Sequence, residues 1–79
     1  MEKVLFIRAE WDAEAGVWVA MSDDVPGLAT EAETLEALSA KLETMVPELL
    51  DANGYPGGPE VPFELLARRI TVTRRAAGE

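Results

Sequence analysis

Asp23-Asp24-Val25-Pro26-Gly27-Leu28, followed by Thr30-Glu31-Ala32-Glu33-Thr34-Leu35, is the stretch whose reading decides the fold. The two aspartates end a strand. Pro26 brings a fixed φ and no donor, and Gly27 brings φ freedom, so the chain turns tightly there. Leu28-Ala29-Thr30 is long enough for a short third strand. Thr34 is then a natural N-cap, its hydroxyl ready for an orphan amide of a helix start. Glu31, Glu33 and Glu36 surround that start, where negative charge suits the helix dipole. Nothing in the stretch is chemically reactive. It marks an architecture: strand, tight turn, short strand, capped helix.

Upstream, Val4 to Trp11 reads as a strand. Leu5, Ile7, Ala9 and Trp11 share one face by alternation, and Val4, Phe6, Arg8 and Glu10 share the other. Asp12-Ala13-Glu14-Ala15-Gly16 is a turn, with Gly16 suited to a positive φ. Val17 to Ser22 is a second strand, with Val17, Val19 and Met21 opposite Trp18 and Ala20. Two β-rich runs joined by such a turn form a hairpin. With the aliphatic phase of the second strand turned toward a helix, Trp18 faces outward.

Downstream, Leu35, Leu38, Leu42, Met45, Val46 and Leu49 repeat at three-and-four spacing, which predicts an amphipathic helix. Pro47 falls inside it and costs roughly 3 kcal/mol in a helix interior. The apolar pattern runs on through Leu49 and Leu50, so the helix is expected to continue through Pro47 with a kink and to end at Asn53-Gly54. Tyr55 to Pro62 is a loop. Phe63 to Thr73 is a last strand, and a change of apolar phase within it suggests a bulge or a short helical start. The predicted fold class is α+β in the order β-β-β-α-β. It is an antiparallel sheet with one amphipathic helix on one face and the last strand beside the first. Residues 1–75 are expected to form one domain and 76–79 a frayed tail.

The totals bound the rest. At 79 residues the chain is one small domain. A domain of this size buries only roughly 60% of its unfolded surface, so a partner or a second subunit would help it. There is no cysteine and no histidine. That removes disulfides, thiolate nucleophiles and Cys/His zinc sites, and leaves Ser22 and Tyr55 without an imidazole to activate them. No enzyme activity and no cofactor are expected. A cytoplasmic setting fits the missing cysteines; no membrane-length apolar run and no signal peptide are visible. The net charge is −8 and is unevenly placed. From Glu10 to Asp51 there are eleven acids and a single base, Lys41, whereas the C-terminal part carries Arg68, Arg69, Arg74 and Arg75. Such a body repels phosphate backbones and attracts basic proteins, so nucleic acid is not expected as a partner.

Four quoted pieces together carry a family resemblance. They are the turn Asp12 to Gly16, the strand Val17-Trp18-Val19-Ala20, the step Asp24-Val25-Pro26-Gly27, and the helix start Glu33-Thr34-Leu35-Glu36-Ala37-Leu38. Over roughly residues 3 to 53 the chain resembles the N-terminal domain of HicB-type antitoxins. Pro47 and Asn53-Gly54-Tyr55-Pro56 fit that family's small uncharacterised bacterial relatives better than the antitoxins proper. The resemblance implies a partial relative of the double-stranded-RNA-binding fold, used to bind and block a small basic ribonuclease toxin. It does not extend to the DNA-binding part of such antitoxins, for which nothing after Arg75 offers a counterpart.

The expected role is a protein-binding module that acts by occlusion. Its partner would meet Trp18, Asp23, Asp24, Glu31, Glu33 and Glu36. The alternative is a self-assembling homo-oligomer without a toxin partner, its basic end meeting the acidic body of another copy. Each candidate also has a plain structural reading. Asp is a common turn residue, and adjacent aspartates at a strand end point apart and chelate poorly. A large outward Trp needs cover, which a partner or a subunit would supply. The arginine doublets serve equally to guard an edge strand.

Overall fold

In a computed structural model, residues 3–76 are described, and they form one four-stranded sheet with a single helix against one face. The elements are β1 (Leu5–Asp12), β2 (Val17–Met21), β3 (Thr30–Ala32), α1 (Leu35–Ala52) and β4 (Phe63–Arg68). The sheet order is β3-β2-β1-β4. The β-β-β-α-β order and the α+β class are those read from the sequence. One pair differs in direction. β2 runs antiparallel to both β1 and β3, but β4 runs parallel to β1, so the sheet is mixed. The helix carries the chain back along the sheet, and β4 therefore enters in the same sense as β1.

The β1–β2 turn is built by its own side chain. The Asp12 carboxylate accepts from the Glu14 and Ala15 amides at 3.0 and 3.2 Å, and the Gly16 amide reaches the Asp12 carbonyl at 2.8 Å. This closes the hairpin at Asp12–Val17 and sets Trp11 opposite Trp18 and Ala9 opposite Ala20. Opposed residues share a face. The inner face of β2 is therefore Trp18 and Ala20, and the outer face is Val17, Val19 and Met21. This corrects the expectation that the aliphatic phase faces the helix and that Trp18 faces outward. Ala20 is buried, and half-buried Trp18 packs against the edge of the core.

The quoted stretch folds as a plug and a cap. The Leu28 amide donates to the Val25 carbonyl at 3.2 Å across Pro26-Gly27, and Gly27 has φ +84°, the left-handed conformation a type II turn requires at that position. Val25 and Leu28 are both buried. Because Leu28 is used as a core plug, pairing starts later than predicted, at Thr30 rather than Leu28. Thr34 holds the expected N-cap, its hydroxyl accepting from the Ala37 amide at 3.0 Å.

The helix buries Leu38, Leu42, Val46 and Leu50, one residue every fourth position. They meet Leu5, Ile7 and Ala9 of β1, Ala20 of β2 and Val25. Each fully buried aliphatic side chain contributes about 1.5–3 kcal/mol. The helix runs unbroken through Pro47, which lies on its exposed side, away from the packed face. Its end is a Schellman motif. The Gly54 amide bonds the Asp51 carbonyl and the Tyr55 amide the Leu50 carbonyl, with Gly54 at φ +67°.

The last strand is shorter than predicted. Phe63 and Leu65 face the helix side and Glu64, Leu66 and Arg68 the outer side, in plain alternation. No bulge or helical turn interrupts it. Pairing with β1 stops at Glu10–Arg68, and residues 69–76 continue without secondary structure. Of the expected frayed tail 76–79, residues 77–79 lie outside the described residues.

Candidate binding surfaces

The sequence-predicted site residues separate into three places. Glu31, Glu33 and Glu36 come together at the corner where β3 meets α1. Glu31 is opposite Val19 in the ladder and so points to the outer face. Glu33 precedes the N-cap, and Glu36 is in the first helical turn, where its charge complements the dipole. All three are exposed. Among the described residues, no cation pairs with any of these carboxylates. Lys41, the single base between Glu10 and Asp51, instead donates its ammonium to the Glu31 main-chain carbonyl at 2.6 Å. A shallow hollow lies there, lined by Val17, Glu31, Glu33, Thr34 and Lys41 among others.

Asp24 belongs to a different arrangement. β1 extends beyond its pairing with β2, which ends at Arg8–Met21. Side chains complete the ladder past that point. The Phe6 amide donates to the Asp24 carboxylate at 2.8 Å, and the Ser22 hydroxyl donates to the Phe6 carbonyl at 2.6 Å. The same Ser22 oxygen accepts from the Asp24 and Val25 amides at 3.0 and 3.2 Å. Lys3 approaches Asp24 at 3.9 Å. The Asp24 carboxylate is thus spent on holding the turn to β1, while Asp23 stays exposed beside it. Among the described residues, no group of three or more acids is placed to hold a metal ion.

Trp18 occupies a third place. Its ring meets Trp11 edge-on, with centroids 5.3 Å apart and an interplanar angle of 62°. The Arg69 guanidinium lies 4.5 Å over the Trp11 ring, a cation–π contact that draws the start of the C-terminal segment over the end of β1. Half-buried Trp11 sits on the helix side, as its phase implied.

One surface was not singled out from the sequence. Among the described residues no helix covers the outer face of the sheet, and it carries Phe6 and Leu66, 52% and 53% exposed, with Val4, Val19 and Met21 on the same side. The signal was present in the second phase of the first strand, where Val4 and Phe6 alternate with Leu5 and Ile7. No helix among the described residues is long and apolar enough to cross a membrane.

Residues 4–76 match the family described as Domain of unknown function (DUF1902). The chain belongs to that family. The crystal structure of a hypothetical protein from the extremely thermophilic bacterium Thermus thermophilus resembles this DUF1902 chain at 59% sequence identity and a TM-score of 0.79. The alignment covers 90% of this chain and all of that one. No curated protein matches the sequence. The DUF1902 match spans every element from β1 to β4.

Proposed function

We propose that this DUF1902 domain is a non-catalytic protein-binding module that takes a small basic protein on its β3–α1 corner and acts by occluding it. The observation that carries this reading is the cluster Glu31, Glu33 and Glu36, exposed on a rigid strand-to-helix junction without a cationic partner among the described residues. A fixed acidic patch steers and orients a basic partner better than it stabilises its own fold. The Thr34 cap and the Lys41 contact hold the corner in place before any partner arrives. The resemblance to HicB-type antitoxins supplies the class of partner, a small basic ribonuclease. Asp23 lies away from this corner, beside Phe6, Arg8 and Ser22, and Asp24 and Trp18 serve the fold.

The test is light scattering of the pure chain mixed with the small basic protein encoded beside its gene. A mixed complex is expected, and it should dissolve in high salt and with the triple substitution Glu31→Lys, Glu33→Lys, Glu36→Lys. Absence of a basic neighbour, or a complex indifferent to the reversed charges, contradicts the reading.

A further inference from the structure

The edge of the sheet formed by β4 is open, and its chain runs on as an extended arm. β4 pairs with β1 on one side, and among the described residues no strand pairs with its other side. Beyond Arg68, Ile70 is 75% and Val72 91% exposed. The molecule measures 61 × 25 × 19 Å, with a radius of gyration of 16.1 Å. A compact chain of this length has a radius of about 12 Å. The excess is the arm, which touches little of its own chain beyond the Arg69–Trp11 contact. An apolar, alternating strand extension held away from its own body is a pairing surface waiting for a strand.

We propose that β4 and residues 69–76 pair antiparallel, about a two-fold axis near Arg69, with the same segment of a second copy of this chain. Register decides the occupant. The segment carries one acid, Glu64, near its start, and Arg68, Arg69, Arg74 and Arg75 further along, so a matching acid is met only where Glu64 lies opposite Arg74. In an antiparallel pair centred on residue 69, Glu64 of each copy faces Arg74 of the other and Leu66 faces Val72, each twice by symmetry. Both pairs fall on the outer face, so Val72 and Ile70 extend the apolar surface of Phe6 and Leu66 across the axis. Only Arg69 meets its own copy at the axis, and its guanidinium is already engaged over Trp11; Arg68 faces Ile70 of the other copy. Pairing through β4 alone would leave Ile70 and Val72 in water; the register centred on residue 69 covers them. The pairing is closed by its two-fold, so it stops at a dimer.

The absence of cysteine makes the test clean. Leu66→Cys and Val72→Cys are made separately, and the two full-length variants are mixed and oxidised. The mixture is expected to give a disulfide-linked dimer, while Leu66→Cys alone gives none. Light scattering of the wild-type chain should read twice the 8.6 kDa chain mass, halved by Val72→Glu with an unchanged circular dichroism spectrum. Val72 is exposed, so that variant folds. A monomeric wild type, a mass above two chains, a dimer indifferent to Val72→Glu, or cross-linking of Leu66→Cys by itself each overturns the proposal. This surface is on the opposite edge of the sheet from the acidic corner, so the two sets of variants read independently.

Discussion

The two edges of this sheet are finished in opposite ways. At the β3 edge there are three paired residues, and the outward carbonyl of Glu31 is already taken by Lys41. Exposed carboxylates at 31, 33 and 36 surround it. At the β4 edge there are six residues, nothing among the described residues pairs with them, and the chain continues as an apolar, alternating arm. Edge strands invite pairing with other chains unless they are short, charged or covered. β3 has all three protections. β4 has charges, but of both signs along one strand, which repel a foreign strand less than they complement a second copy of themselves. The contrast teaches where specificity can lie in a small domain without reactive side chains: one edge is closed to strands and offers charge, the other is open to a strand and offers register.

Substitutions test that contrast at three depths. The largest effect is expected at the centre both edges share. Ile7 is fully buried and lies opposite Leu65 of β4. Ile7→Ala should cost about 2–5 kcal/mol in urea unfolding, and both edges should melt in one transition. Two separate transitions would break the comparison by making the edges independent units. The next effect separates the edges. Ser22 ties the β2–β3 connection to the end of β1 through four hydrogen bonds shared with Asp24. Ser22→Ala should cost about 1–3 kcal/mol and speed amide exchange at Val25 and in β3 more than in β4. Equal acceleration in both strands would count against that local role.

How much of this was legible before the structure is instructive residue by residue. The hairpin, the Pro26-Gly27 turn, the Thr34 cap and the helix ending at Asn53-Gly54 each rest on local chemistry, and each is where the sequence placed it. Which face of β2 meets the helix is not local. Val17, Val19 and Met21 are the more apolar set, yet the Asp12–Val17 closing pair sets Trp18 on the side of Trp11 and Ala20 on the side of Ala9. Turn length overrules side-chain hydrophobicity here, and combining the first strand's phase with that closing pair is the signal that would have found it. The direction of β4 depends on the crossing helix, and its early end at Arg68 on where β1 ceases to pair with it. Of the candidate site, the grouping of Glu31, Glu33 and Glu36 follows from their positions around one cap. The use of Asp24 as a substitute for ladder pairing at Phe6 is visible only once the two segments lie side by side.

The smallest effect on stability is expected from the residue that most directly keeps the edges different. Lys41 is exposed, so Lys41→Met should change unfolding free energy by no more than about 0.5 kcal/mol. It frees the Glu31 carbonyl and removes the charge beside β3. Species larger than a dimer should then appear in light scattering, because the second edge has become open as well. A variant that associates no more than the wild type would show that Lys41 does not guard β3.

Residue-resolved amide exchange of the pure chain, read at high and low protein concentration, tests the central contrast most directly. Alternate amides between residues 70 and 74 are expected to be protected when the chain is concentrated and to exchange freely when it is dilute or carries Val72→Glu. Exchange in β3 should not depend on concentration. Arm amides that exchange as unpaired chain at every concentration, or β3 amides that respond instead, would contradict the assignment of β4 as the open edge.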